Sequence, residues 1–459
     1  METITNTLRD SKAARWTALA VVAFTMLCGY YLTDVMAPLK PMLEKELLWN
    51  SAEYGFFTSA YGWFNVFLLM LLFGGIILDK LGIRFTGVMA TSIMVIGTAI
   101  KYWAISTHSL DGQVMLGMKA QVVVAGLGFA TFGVGVEVAG ITVSKIIVKW
   151  FKGKEMALAM GLEMATARLG TALAMTTSIP IAKALHGVSK PVLVCLIMLC
   201  IGMIAFIVYT FMDKKLDKSI AESEKDNSEE SEDSFRLKDI WMIITNKGWW
   251  YIAILCVLFY SAVFPFIKYA TDLMINKFNV DQELAGVIPG LLPFGTILLT
   301  PLFGNLYDRK GRGATIMIIG AILLIFVHAM YSIPFLKATP IAIILIIILG
   351  IGFSLVPSAM WPSVPKIIPE KQLGTAYALI FMVQNVGLML VPLLIGWVLN
   401  KYCISGTRLV DGVQVSNYNY TVPMMIFTGF GVLALVFALL LKAEDKKKGY
   451  GLQLPNIKR

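Results

Sequence analysis

Charged residues are scarce in this sequence. Only 15% of its 459 residues are Asp, Glu, Lys or Arg, and 57% are hydrophobic. A soluble globular domain carries about 25% charged residues, because its surface faces water. Several apolar runs exceed the roughly 20 residues that cross a bilayer as a helix. The composition therefore excludes an ordinary soluble protein and predicts several membrane-spanning helices.

Cysteine and histidine are also rare. The five cysteines and three histidines are scattered, and they do not follow the spacing of a metal site or of a disulfide framework. The sequence contains no nucleotide-binding loop and no catalytic triad. We therefore expect no metal, no cofactor and no enzymatic activity.

The net charge of +10 does not indicate nucleic-acid binding. The Lys and Arg residues cluster between the apolar runs, which is typical of a membrane protein. Most of the 39 Lys and Arg residues lie in segments on the same side as the N terminus. This bias predicts that both termini are cytoplasmic, that the lipid bilayer is a partner and that nucleic acid is not.

Twelve apolar runs are long enough to cross a membrane as helices. They predict an all-α membrane protein whose transmembrane helices form two pseudo-symmetric halves of six. The expected spans lie near residues 16–38, 52–78, 86–106, 118–147, 155–185, 190–213, 249–276, 283–306, 314–335, 339–367, 372–400 and 422–442.

A polar, acidic stretch separates the two halves. We expect an N-terminal half at 1–213, a linker at 214–247, a C-terminal half at 248–442 and a cytoplasmic tail at 443–459. The composition of the linker is typical of a disordered segment. Its last residues mix apolar and basic side chains, which predicts a short helix on the membrane surface.

A short loop motif occurs after the second span and again after the eighth. In both copies a glycine is followed by an acid four residues later, a base at five and a glycine at seven. The glycines permit a tight turn between helices. The motif residues that we single out are Gly75, Asp79, Arg84, Gly304, Asp308, Arg309 and Arg312.

This motif, the six-plus-six arrangement and the central linker resemble the major facilitator superfamily of secondary transporters. The resemblance covers essentially the whole chain. It implies that the two halves rock about a central site and that the motif residues gate its cytoplasmic side. Further segments resemble the branch that includes the lysosomal dipeptide transporter of animals: WFKGKE at 150–155, ARLG at 167–170, AVFPFI at 262–267, and Trp361-Pro362 followed by PEKQLGTAYA and QNVG.

Glu137 and Arg168 are charges inside the fourth and fifth spans. The midpoint between them falls at Lys152 and Gly153, within the loop 149–154, so both lie about 16–20 Å deep if each helix rises about 1.5 Å per residue. Charges at this depth are unfavourable unless they face each other, water or a ligand. We interpret them as the two ends of a site for a zwitterion; a structural ion pair is the alternative. The resemblance implies that Glu137 meets a peptide amino terminus and Arg168 its carboxylate.

Four other polar residues within spans are candidates for the substrate site. Asp34, late in the first span, can attract a cationic side chain or remain a helix-end carboxylate. Asn65 can line the cavity or bond a neighbouring helix. Glu163 is a possible proton site that can instead pair with Arg168 or reach water. Lys268 can face the cavity or snorkel to the outer surface.

The C-terminal half contributes Trp361, Gln384 and Asn385. These residues can contact the backbone or side chains of a peptide. Tryptophan and amide side chains also serve ordinary helix packing.

The resemblance implies a uniporter of dipeptides, with cationic dipeptides favoured by Asp34. Three alternatives stay open: a proton-coupled symporter with Glu137, Glu163 or Asp34 as the proton carrier, an exchanger of small organic anions for which Arg168 suffices, and a non-transporting receptor on the same scaffold. The short N-terminal tail has no acidic dileucine signal of the kind that sorts animal members to lysosomes. We therefore expect a bacterial inner membrane, and the need for an accessory subunit stays open.

Overall fold

Long helices joined by short turns make up most of the computed structural model, which describes residues 8–151, 154–223, 237–369, 372–410 and 412–456. The helices are α1 (Lys12–Asp34), α2 (Lys40–Glu46), α3 (Ser51–Ser59), α4 (Trp63–Phe67), α5 (Met70–Ser106), α6 (Ala120–Phe151), α7 (Met156–Ala184), α8 (Lys190–Ser223), α9 (Leu237–Ile244), α10 (Lys247–Phe278), α11 (Gln282–Lys310), α12 (Gly313–Ser332), α13 (Thr339–Ile367), α14 (Leu373–Tyr402) and α15 (Thr421–Lys448). Two antiparallel hairpins, neither of them expected, pair β1 (Val114–Met115) with β2 (Met118–Lys119) and β3 (Ile404–Val410) with β4 (Val413–Tyr418).

Among the described residues, ten helices are long and apolar enough to cross a membrane: α1, α5, α6, α8 and α10 to α15. Helix α7 occupies the fifth expected span but is less apolar, because it carries Glu163, Arg168 and several threonines. The prediction of an all-α membrane fold is confirmed.

The second expected span is not one continuous helix. It consists of α3, a 3-10 turn at Ala60–Gly62, α4 and the start of α5. Helix α5 then continues through the third span, with a kink at Gly82, where φ is 76° and ψ is 173°. A residue with a Cβ rarely adopts this conformation. The second glycine of the loop motif therefore lets the chain reverse between two spans.

We call the end of the bundle where α1 begins and α15 ends the terminal face, and the opposite end the hairpin face. At the hairpin face, α3 of the N-terminal half packs against α14 of the C-terminal half. A Cβ on Gly396 would lie 2.4 Å from the carbonyl oxygen of Ser51, and one on Gly55 would lie 2.7 Å from that of Pro392. Glycine at both positions allows the backbones to touch.

Ion pairs also join the halves at the hairpin face. The ammonium of Lys40 lies 2.6 Å from Glu44 in its own helix and 2.9 Å from Asp272 of the other half, and all three residues are buried. Burial raises the pKa of Glu44, and the Lys40 ammonium acts in the opposite direction. Lys183 and Glu283 form a further cross-half pair at 2.9 Å. In this conformation the halves are therefore closed together at the hairpin face.

The segments outside the two halves differ from the expected boundaries. Helix α8 continues to Ser223, past the boundary placed at 213. Its polar part is stabilised by ion pairs of Asp213 with Arg84 and Lys149. Residues 224–236 of the expected disordered stretch lie outside the described residues. The short α9 follows, with Trp241 exposed. Helix α15 continues to Lys448, and residues 449–456 fold back onto the C-terminal half.

Candidate functional site

A cavity of about 90 Å³ lies between the two halves. This volume holds only a few water molecules, so a peptide-sized ligand requires the lining side chains or the halves to move apart. The N-terminal half contributes Tyr30, Thr33, Asp34, Thr58, Tyr61, Val136 and Glu137, and the C-terminal half contributes Phe264, Pro265, Lys268, Gln384, Leu388 and Pro392.

Glu137 lines this cavity from α6. Its Oε1 accepts a hydrogen bond of 2.7 Å from the hydroxyl of Tyr61, which lies in the 3-10 turn that breaks the second span. The amide of Asn385, from the opposite half, lies near the Glu137 carboxylate. Neither group is a cation, so the negative charge of Glu137 is not neutralised by these neighbours.

Arg168 points from α7 toward aromatic rings. Its guanidinium carbon lies 6.0 Å from the ring centre of Tyr30, 5.5 Å from that of Phe264 and 5.1 Å from that of Phe353. Such cation–π contacts stabilise the charge without saturating its five donors. Within the part of the chain that the structure describes, Arg168 has no ion pair. The alternative of a structural pair between Glu137 and Arg168 is therefore not formed in this conformation.

Tyr30 connects the two charges. Its side chain lines the cavity beside Glu137, and its ring also contacts Arg168. Phe264 makes the same connection from the C-terminal half, because it lines the cavity and packs near the guanidinium. The cavity thus has a carboxylate on its wall and a guanidinium just behind two aromatic residues.

Asp34 and Lys268 form an ion pair of 2.6 Å between α1 and α10, and both line the cavity. The second carboxylate oxygen of Asp34 accepts a hydrogen bond of 2.8 Å from Thr171. The Lys268 side chain is only 12% exposed and lines the cavity, so in this conformation it does not snorkel to the outer surface. The pair joins the two halves on the hairpin side of Glu137 and Arg168.

Glu163 and Asn65 are not among the residues that line the cavity. Glu163 is half-buried on α7, on the same helix as Arg168, and the two do not form an ion pair among the described residues. Asn65 is buried and donates a hydrogen bond of 3.3 Å to the carbonyl of Gly133. It therefore joins α4 to α6, which is the helix-packing alternative rather than a cavity-lining position.

The three candidates of the C-terminal half lie in different surroundings. Gln384 lines the cavity, whereas Asn385 is fully buried beside it and donates to the carbonyl of Phe381 at 3.0 Å. Trp361 stacks on Phe381 with ring centres 5.1 Å apart and donates to the hydroxyl of Tyr260 at 3.1 Å. Trp361 thus packs against Tyr260, which in turn contacts the Phe264 and Phe353 rings beside Arg168.

The N-terminal copy of the gating motif is held by charges of its own half. Asp79 pairs with Lys145 of α6. Arg84 lies 3.3 Å from Asp213 and 2.6 Å from Asp217, both on α8. A Cβ on Gly75 would meet no described atom within 4 Å, so the space beside this glycine is open.

The C-terminal copy is held by the end of the chain. The carboxylate of Asp308 accepts a hydrogen bond of 2.7 Å from the side chain of Asn456. Arg309 and Arg312 are exposed, and a Cβ on Gly304 would meet no atom within 4 Å. None of these motif residues bonds to the opposite half among the described residues, in contrast to the hairpin face.

Sequence reasoning missed the aromatic residues of the site. Tyr30, Tyr61, Phe264 and Phe353 are indistinguishable from ordinary apolar-helix residues in a chain with 11% aromatic content. It also missed Lys101 of α5, which is fully buried with its ammonium 4.5 Å from the ring centre of Phe129. A lysine inside an expected span is a usable signal, since intramembrane charges are rare.

Comparison with known proteins agrees with this architecture. A profile of the Major Facilitator Superfamily matches residues 19–392. The lysosomal dipeptide transporter MFSD1 of Mus musculus is 27% identical over 403 residues, covering 85% of this chain and 81% of the relative. The same transporter of Danio rerio is 28% identical over 392 residues, covering 83% and 80%.

Solved structures share the fold at low sequence identity. A bacterial homolog of the human lysosomal transporter Spinster has a TM-score of 0.69 at 12% identity, covering 95% of this chain and 98% of that one. The nucleoside transporter NupG has a TM-score of 0.62 at 16% identity, covering 93% and 98%. With the profile matched over most of its length, this chain belongs to the major facilitator superfamily and is a multi-pass membrane transporter.

Proposed function

We propose that this transporter carries dipeptides through the cavity between its halves. The observation that carries the proposal is the separation of Glu137 and Arg168. One is bonded to Tyr61 and the other is surrounded by aromatic rings, and neither neutralises the other. Intramembrane charges without an ionic partner are expected to meet a ligand or water.

A dipeptide satisfies both charges at once. Its ammonium matches the Glu137 carboxylate, and its carboxylate can form a bidentate contact with the Arg168 guanidinium. An extended dipeptide separates its termini by at most about 3.3–3.6 Å per residue, and Tyr30 spans the space between the two protein charges. The relatives named as dipeptide transporters support this assignment.

Selectivity for side chains follows from the pair Asp34–Lys268. A cationic substrate side chain would compete with the Lys268 ammonium for the Asp34 carboxylate, which also holds Thr171. Binding such a side chain would weaken a contact that keeps the hairpin face closed. We expect cationic dipeptides to bind and also to favour opening of that face.

The direct test measures binding of three ligands to two variants. Glu137→Gln should weaken binding of a free dipeptide and matter less for its N-acetylated form. Arg168→Ala should weaken binding of the free dipeptide and matter less for its C-amidated form. Each loss should be about 1.5–3 kcal/mol, roughly tenfold or more in affinity, measured by ligand-dependent thermal shifts of the purified protein.

Asn65→Ala is the matched control, because Asn65 bonds a neighbouring helix and does not line the cavity. It should lower stability and leave the affinity for all three ligands unchanged. If Glu137→Gln is neutral while Arg168→Ala abolishes binding of organic acids, the chain is an organic-anion exchanger. If both variants lose only stability, the site lies elsewhere.

We propose uniport as the mode of transport. In proteoliposomes, an imposed proton gradient should not drive uphill accumulation of a neutral dipeptide. Accumulation that a protonophore abolishes would establish symport instead, with the half-buried Glu163 as the first residue to replace. Glu163→Gln would then separate coupled from uncoupled flux.

We further propose that the terminal face is cytoplasmic and that the membrane is a bacterial inner membrane. The excess of Lys and Arg at the terminal face supports this orientation. In this orientation the conformation described above is closed toward the outside. Asp79 and Asp308 would then hold the cytoplasmic ends together when the site faces outward.

A further inference from the structure

The last described residues of the chain are bound to the C-terminal half by main-chain contacts. The carbonyl of Leu452 accepts a hydrogen bond of 2.8 Å from the N–H of Gly313, and the carbonyl of Gln453 accepts one of 2.9 Å from the N–H of Arg312. These N–H groups lie at the start of α12, where a helix lacks internal partners. Since the side chain of the N-cap residue, Arg312, makes no capping hydrogen bond, residues 449–456 supply the cap of α12.

Side chains fasten the same segment, which we call the C-terminal strap. Leu452 is fully buried, and its N–H donates to Asp445 at 3.0 Å. The ammonium of Lys366 from α13 donates to the carbonyls of Gly451 at 3.1 Å and Leu454 at 3.0 Å. The strap therefore has a built docking place among the ends of α11, α12, α13 and α15.

The strap ends on the acid of the gating motif. Asn456 bonds Asp308 twice, from its side chain to the carboxylate at 2.7 Å and from its N–H to the carbonyl at 3.0 Å. The corresponding acid of the other half, Asp79, pairs with Lys145 and has no contact with a chain terminus within the part of the chain that the structure describes. The strap thus acts on only one of the two gating loops.

We propose that the C-terminal strap regulates alternating access by holding Asp308 within its own half. While Asn456 occupies the carboxylate, Asp308 is less available to close the terminal face against the N-terminal half. The strap therefore stabilises the conformation that is closed at the hairpin face. This inference rests on the proposed gating role of Asp308 and not on the identity of the substrate.

The experiment measures the separation of the halves at the hairpin face by pulsed electron spin resonance. Spin labels are placed at His108→Cys and Lys337→Cys, which are exposed and lie in different halves, away from the strap. Cys200 is half-buried, whereas the other four cysteines are buried. Cys200 is therefore replaced by serine in this background, so that it does not react with the spin label. The full chain is used in lipid nanodiscs without any substrate.

Asn456→Ala should raise the ratio of long to short separations about three- to tenfold, as expected when one solvent-exposed hydrogen bond is lost from one state. Asn456→Asp should shift the ratio in the same direction, because it places a like charge beside Asp308. Gln453→Ala is the matched control. Among the described residues, its side chain bonds only Thr315, from which it accepts a hydrogen bond at 3.2 Å, and the substitution should leave the ratio unchanged.

Unchanged ratios in both Asn456 variants would overturn the proposal. An equal shift in Gln453→Ala would overturn it too, because the strap would then stabilise the half without acting through Asp308. Because no substrate is present, a failed dipeptide-binding experiment would leave this result intact. Conversely, a failure here leaves the Glu137 and Arg168 experiment unaffected.

Discussion

The two copies of the gating motif have the same residue spacing, but different kinds of contact stabilise the two loops. In the N-terminal half, side-chain charges on α8 hold the loop: Lys149 lies 2.8 Å from Asp213 and 2.6 Å from Asp217, and Arg84 contacts both. In the C-terminal half, main-chain carbonyls of the strap hold it. The N-terminal support continues as helix to Ser223, whereas the C-terminal one leaves helical structure after Lys448.

This difference shows that the motif fixes where an acidic residue and the two glycines lie in each half. It does not fix which group binds that acidic residue. The glycines and the charges recur because both loops reverse the chain at the same face. The segment that follows the sixth helix of each half then decides how the loop is anchored. The ion pairs that hold the N-terminal loop depend on the buried charge of Asp213. The main-chain hydrogen bonds that hold the C-terminal loop depend on the burial of Leu452 in the strap.

The largest effect is expected from Asp213→Asn. Asp213 is fully buried, and its carboxylate accepts hydrogen bonds from the side chains of Lys149, Arg84, Trp150 and Tyr209. Losing its charge leaves Lys149 and Arg84 with only the exposed carboxylate of Asp217 among the described residues. It should lower stability by about 3–5 kcal/mol, because a buried ion pair loses one partner. The thermal unfolding midpoint in detergent measures this loss.

Asp217 offers a matched control, because it binds the same two cations but is 42% exposed. Asp217→Asn should lower stability by about 1 kcal/mol or less. Equal shifts for the two variants would contradict a buried ionic anchor in the N-terminal half.

A somewhat smaller effect is expected from Leu452→Ala in the C-terminal half. Removing a fully buried leucine side chain should lower stability by about 2–3 kcal/mol. It should also speed amide hydrogen exchange at Arg312 and Gly313, whose N–H groups the strap covers. Leu454→Ala, at a position 63% exposed, should change neither quantity appreciably. Identical exchange in both variants would mean that the strap is not the anchor of α12.

The smallest change in free energy is expected from Asp79→Asn. It removes the charge that pairs with Lys145 and that we assign to closure of the terminal face. Flux into proteoliposomes should fall about tenfold, and the affinity for a dipeptide should stay within about twofold. Asp308→Asn should reduce flux less, because it also weakens the hydrogen bond by which Asn456 holds this side chain in its own half. Normal flux in Asp79→Asn would remove this residue from the gate.

The central charges were predicted from the sequence, whereas the aromatic residues around them and the ion pairs at the hairpin face were not. Glu137 and Arg168 were identified because a charge is conspicuous in an apolar helix. Tyr61 was not, because nothing in the sequence marks the break of the second span that brings its hydroxyl to Glu137. The cross-half pairs Asp34–Lys268 and Lys40–Asp272 join residues more than 230 positions apart, a separation at which local patterns carry no information.

By itself, the sequence determined the membrane fold, the positions of most spans, the duplicated motif and the two central charges. Each follows from local physics, since apolar length, charge within a span and glycine at a turn act within one segment. Only the tertiary structure decided which groups those charges meet, that the halves close at the hairpin face and that the chain end binds Asp308. These features depend on how separate helices pack in one of at least two alternating arrangements, and the packing contacts differ between arrangements although the sequence is the same.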